Sequence, residues 1–207
     1  MKITITKLIG FLLALSLTSA FPALARGAAS SLDRLQAQQN VIALSTAEED
    51  TLLFMREEEK MARDVYLVLY KTWKKAVFNN IAASEQQHMD AILKKLNLFG
   101  LPDPVLPKIG NFTNTDLQIL YDQLIAQGKL SYKDALTVGA TIEDMDIRDL
   151  QLAIEATNNL GLKITYQNLM EGSKNHLRAF VGQLRKQGLD YSPQYIEQAL
   201  FDAILEV

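Results

Sequence analysis

The chain has no cysteine among its 207 residues. That excludes a disulfide framework, thiolate metal ligands and thiol chemistry, so stability must come from a packed core, which a chain of this length can bury. There is no excess of basic charge: 21 Lys and Arg stand against 24 Asp and Glu, a net of −3, which argues against a nucleic-acid partner. No apolar run is long enough to span a bilayer. The longest, Leu8 to Leu17, is about 10 residues, roughly half of what a membrane helix needs. Internal repeats, low-complexity tracts and the two-residue alternation of strands are all but missing. Histidine is scarce too, with only His88 and His176.

The short apolar run has a use. Lys2 and Lys7 precede it and Ala23-Leu24-Ala25 follows, the pattern of a secretory signal cleaved after Ala25. The expected organisation is a signal peptide over 1–25, a linker over 26–45 and a helical domain over 46–207, with the product periplasmic or secreted. Cleavage removes two lysines and no acid, leaving the remainder more acidic still. Nothing then stays in the membrane, and no cysteine is present to carry a lipid.

The rest reads as helices. Ser45-x-x-Glu48 is a capping box ahead of a long helix to about Trp73. A second runs from about Val77 to Asn97, stopped by Gly100, Pro102, Pro104 and Pro107. Asn114 or Thr115 opens a short helix closed by Gly128, and Ser131 caps a long one reaching about Thr157. Asn158, Asn159 and Gly161 read as a break, with the next helix running from Thr165 to near Gly188. Ser192-Pro193 predicts a terminal helix of about four turns. Short links join the first long helix to the second and the third to the fourth, so each pair should be an antiparallel hairpin. The stretch from Leu98 to Leu130 separates the pairs. The expected fold is therefore all-α: a ferritin-like four-helix bundle with a long crossover containing a short helix, plus a C-terminal helix.

Residues at three- and four-residue intervals form the stripe each helix turns to the core. The first gives Leu52, Met55, Glu59, Ala62, Tyr66, Leu69, Trp73. The second gives Phe78, Ile81, Glu85, His88, Ile92, Leu96, Phe99. The third gives Leu136, Ala140, Glu143, Ile147, Leu150, Ile154, and the fourth Leu162, Tyr166, Leu169, Ser173, His176, Phe180, Leu184. Each stripe is interrupted near its middle by carboxylate or imidazole. Glu59, Glu85, His88, Glu143 and His176 should therefore meet in one layer, with no lysine or arginine on any stripe to pair them. Buried carboxylates without a cation cost several kcal/mol each, and one or two divalent ions relieve this. The predicted ligands are these five residues. Glu58, on an adjacent stripe with Phe54, Met61 and Val65, is an alternative to Glu59, and the run Glu57 to Glu59 reads as partly a solvated face. Asn175 and Arg178, near His176, read either as partners of the ligands or as surface groups.

The segment Glu59-Lys-Met-Ala-Arg-Asp-Val-Tyr66 resembles the first helix of rubrerythrin-type ferritin-like proteins, and Glu85-x-x-His88 is similar to their second-helix motif. Four longer segments resemble the bacterial and archaeal ferritin-like family catalogued as domain of unknown function 2202. They are Arg56 to Tyr66, Val138 to Leu150, Gly172 to Phe180 and Tyr191 to Tyr195. The resemblance covers the chain from about Thr46. It implies iron, two ions per chain, and oxidation of ferrous iron by oxygen or peroxide, an oxidoreductase of the di-iron oxidase or peroxidase type. Manganese and zinc are alternatives. It also implies Tyr66 as an electron or hydrogen-bond donor, beside its role in core packing. The sequence departs from the pattern at Ser173, where the resemblance implies the glutamate of a second Glu-x-x-His, a bridging or terminal carboxylate; Asp146 or Glu58 is the candidate substitute.

Two readings from other classes remain beside this one. One is a protein that buffers metal without turnover. The other is a metal-free helical bundle that contacts a protein partner or a second copy of itself through the terminal segment, with Tyr191, Tyr195, Leu200 and Phe201.

Overall fold

The computed structural model describes residues 43–206; the expected signal peptide over 1–25 and nearly all of the expected linker over 26–45 lie outside the described residues. Six helices make up the described part: α1 (Thr46–Trp73), α2 (Ala76–Phe99), α3 (Thr115–Gly128), α4 (Tyr132–Ala156), α5 (Leu160–Lys186) and α6 (Gln198–Leu205). No strand occurs among the described residues. The Ser45 hydroxyl accepts the Glu48 N–H while the Glu48 carboxylate accepts the Ser45 N–H, so the capping box is complete. Lys74, in the left-handed region at φ 56°, ends α1 and turns the chain into α2 within two residues.

The helices pack as two close pairs, α1 with α2 and α4 with α5, and α1 also meets α4 while α2 meets α5. The core falls into two apolar clusters. One gathers Leu52 and Met55 near the start of α1, Leu96 near the end of α2, Ala153 near the end of α4 and Leu162 near the start of α5. The other is larger and includes Tyr66, Leu69, Phe78, Leu136 and Phe180. Between them lies a layer of buried acids and histidines.

Two helix boundaries differ from expectation. α5 begins at Leu160 rather than Thr165, because the Asn159 side chain caps it by accepting the Leu162 N–H and Gly161 simply joins the first turn. The terminal helix is eight residues rather than about four turns, and it starts at Gln198. Residues 194–196 wrap the buried carboxylate of Asp144, which accepts the Tyr191 hydroxyl at 2.8 Å and all three N–H groups, among them that of Ile196, which a helix from Pro193 would have given to the Ser192 carbonyl.

The expectation of a partly solvated Glu57–Glu59 face is also corrected: all three are buried, as is every residue from Met55 to Ala62. α1 is covered by α2, by α4 and by α3 with the segment before it. Its charges on that last side hold the crossing chain. Glu57 accepts the N–H groups of Thr113 and Asn114 at 2.6 and 2.9 Å. Arg56 makes a two-pronged pair with Asp103. Lys60 is fully buried, 2.5 Å from Asp64 and 3.1 Å from the carbonyls of Lys108 and Asn111. With these charges satisfied on one flank, the opposite side of α1 is left to face the layer between the clusters.

Candidate metal centre

Glu85 and His88 lie one turn apart on α2, so both project from one face into the layer. His88 Nδ1 lies 2.8 Å from Glu85 Oε2 and 3.2 Å from Glu59 Oε2, which α1 delivers from the opposite side. His176 of α5 repeats the arrangement: its Nδ1 is 2.9 Å from Glu85 Oε1 and 3.3 Å from Glu143 Oε2 of α4. The two imidazoles are stacked, with centroids 5.5 Å apart. Two sets of three donors result, Glu59/Glu85/His88 and Glu85/Glu143/His176, the atoms of each lying within 4.8 Å of one another and all five side chains buried. Glu85 belongs to both.

The donor set suits a cation. Ligands at about 2.1 Å from an ion and at right angles to each other are roughly 3 Å apart, the range seen around each Nδ1. Glu59 Oε1 is buried without a hydrogen-bond partner, and no donor is aligned with Glu85 Oε1 even though His176 Nδ1 is close. Neighbours fix the orientation of the ligands. The Tyr66 hydroxyl donates to Glu143 Oε1 at 2.5 Å, and His176 Nε2 is 2.9 Å from the Ser84 hydroxyl. With its Nε2 proton on Ser84, His176 presents Nδ1 as a lone pair. Gly172 on α5 lies against the His88 ring, in a space that any Cβ would enter.

Electrostatics follow from burial and mutual proximity. Burial raises Glu59 to about 7 against the opposing pull of His88, and burial with the charge of Glu85 raises Glu143 to about 7. Burial works against Glu85 too, but the two imidazoles beside it bring it down to about 2. Burial disfavours the charged imidazoles, yet Glu59 and Glu85 push His88 up to about 12, and Glu143 and Glu85 push His176 up to about 10. Without a metal, then, protons on the histidines take the place of the cation.

Glu59 and Glu58, alternatives at sequence level, have separate positions: Glu59 faces His88, whereas Glu58 is buried on the α1–α4 side with neither oxygen hydrogen-bonded. Ser173 donates its hydroxyl to Asp146 Oδ2 at 2.5 Å. Burial, with the charges of Glu59, Glu143 and Glu85, holds Asp146 well above the usual carboxylate range. Asn175 and Arg178 do not serve the centre: Arg178 binds the Ile204 carbonyl and Asn175, tying α6 down. Sequence reasoning missed Ser84 and Gly172. Ser84 directly precedes Glu85, on the side of α2 that His176 meets, but a lone serine or glycine gives no periodic signal.

Fold and site together define an all-helical protein with a buried carboxylate–imidazole layer. The chain belongs to the family described as uncharacterized protein domain (DUF2202), whose model matches residues 48–207. It is similar to uncharacterized protein MJ0754 of Methanocaldococcus jannaschii, 50% identical over 163 residues that make up 78% of this chain and 88% of that protein. The crystal structure of hypothetical protein MJ0754 from Methanococcus jannaschii superposes with a TM-score of 0.79 at 49% identity, covering 80% of this chain and 95% of that one.

Proposed function

We propose that this is an exported ferritin-like protein that binds two metal ions, iron foremost, between α1, α2, α4 and α5. One observation carries the reading: a single buried carboxylate, Glu85, reaches a different histidine with each oxygen, and each histidine has a second carboxylate of its own. Glu85 would bridge; Glu59 and His88 would complete one position, Glu143 and His176 the other. The apposition of the start of α1 with the ends of α2 and α4 supports the ferritin-like connectivity, in which the long crossover returns the chain along the bundle. The paired lysines, apolar run and Ala23-Leu24-Ala25 support export.

Bound iron would supply one-electron chemistry toward oxygen or peroxide. The chain's own part is to hold the ligands and shield them: two apolar clusters flank the layer, Tyr66 steadies Glu143, and Ser84 fixes the ring of His176. Holding metal without turnover is the second reading, and Ser173 favours it, because a serine stands where the ferritin-like resemblance implies a further carboxylate, bridging or terminal, and its hydroxyl is turned to Asp146. Anaerobic titration with ferrous iron, followed by exposure to oxygen or peroxide, separates the two. Saturation at two equivalents with oxidant consumed supports the redox reading, and saturation with no oxidant consumed supports holding. Failure to bind iron, manganese or zinc contradicts both.

A further inference from the structure

Among the described residues, Glu58 alone buries a carboxylate with no hydrogen-bond donor at either oxygen; it is 1% exposed. Its neighbours on α1 earn their burial structurally, as Glu57 does with two backbone N–H groups. Glu58 holds nothing. The charges that act on it are those of Asp146, Asp149 and Glu59, all negative, and its polar neighbour Asp149 can bond to it only when one of the two carries a proton. Asp146, in turn, keeps Oδ1 buried and unpartnered while Ser173 holds Oδ2. A methionine at 58 would pack as well without the cost of an unpaired buried polar group.

The acids form a line. On α1, Asp50, Phe54 and Glu58 are spaced one turn apart on one stripe; on α4, Ala153, Asp149 and Asp146 do the same in the opposite sense. Between the outer halves of these stripes is a surface groove of about 380 Å³, lined by Asp50, Phe54, Asp149 and Leu152 among others. Asp50 is exposed and the Asp149 side chain, 14% exposed, pairs through Oδ1 alone with the neighbouring Arg148 guanidinium at 2.6 Å, so the line begins in solvent and ends beside Glu59 and Glu143. We infer that the seam between α1 and α4 is the loading route of the metal centre, along which a divalent transition-metal cation passes from Asp50 and Asp149 by way of Glu58 to Asp146. This rests on the reading of the centre as a metal site. The seam carries ions without storing them: among the described residues both compact three-donor sets belong to the centre, so an ion in the seam meets too few oxygens at once to stay.

The test is the rate of Co²⁺ uptake by the full mature protein, followed by its visible absorption after rapid mixing, with the final stoichiometry measured separately. Glu58→Gln keeps the shape and removes a carboxyl group that a passing cation could bind, and Asp149→Asn changes the groove mouth; Glu171→Gln, an exposed acid on α5, controls for net charge. The expected result is uptake slowed about tenfold or more in Glu58→Gln, equivalent to roughly 1.4 kcal/mol in barrier, with a smaller slowing in Asp149→Asn and none in Glu171→Gln. All three should reach the wild-type stoichiometry. Wild-type rates in both seam variants would overturn the route. Lower final stoichiometry in Glu58→Gln would overturn it as well, by making Glu58 a fixed ligand. Absence of Co²⁺ from the wild-type protein at equilibrium would fail the centre itself, a result distinct from a change in rate.

Discussion

At the scale of single residues, the account turns on what each histidine can do. His88 and His176 each meet their own terminal carboxylate, so replacing either with alanine should remove about one metal equivalent per chain while far-ultraviolet dichroism stays unchanged, as expected when one ligand set of a pair is broken. Unchanged metal content in both variants would contradict the ligand assignment. Gly172→Ala should act on the same position as His88→Ala, since the new Cβ displaces the His88 ring; wild-type metal affinity in that variant would mean the ring can shift without loss. That Glu59, Glu85, His88, Glu143 and His176 share one buried layer was legible because a charged residue in an apolar stripe is conspicuous at helical spacing. The Glu58 position was ambiguous for the opposite reason: α1 is buried on several sides, so periodicity could not separate a residue facing the centre from one facing α4. Serine at 84 and glycine at 172 act through contacts that only three dimensions reveal.

Among the elements, the helices capped by Ser45, Asn114 and Ser131 were readable to within two residues, whereas the start of α5 was placed too late because its cap, Asn159, reads with Asn158 and Gly161 as a break. The terminal helix was not readable either, because its start is set by a distant residue. Asp144 captures three consecutive N–H groups, and that of Ile196 is one a helix from Pro193 would have given to the Ser192 carbonyl, a tertiary bond overriding a good local signal. Asp144→Ala leaves those donors buried or seeking water, and should cost about 3 kcal/mol in urea unfolding. Amide exchange should quicken over Gln194 to Leu205 well before it does in α1 or α2. Equal protection in variant and wild type would show that the segment is held by its apolar contacts alone.

For the molecule as a whole, the buried layer links stability to pH. Glu59 and Glu143 have folded-state values raised from 4.5 to about 7, so their contribution is present below 4.5 and is lost as pH rises through 7. The histidines, raised from 6.5 to about 12 and 10, lose theirs at still higher pH, in the same direction. Glu85, lowered to about 2, changes only in strong acid. The metal-free protein should therefore melt at a lower temperature at pH 8 than at pH 5. Metal binding reverses the trend, because it needs the deprotonated ligands, and it should release about two protons per chain at pH 8 into a weakly buffered solution. A metal-free protein whose melting temperature rises from pH 5 to pH 8 would show that the histidines are not the internal counter-charges. All of this depends on the layer taking up metal. The most direct measurement is elemental analysis of the protein, purified without an affinity tag and reconstituted anaerobically with ferrous iron, beside the double variant His88→Ala/His176→Ala. The account predicts about two irons per chain in the first and none in the second. Iron absent from both, or equal in both, would contradict it.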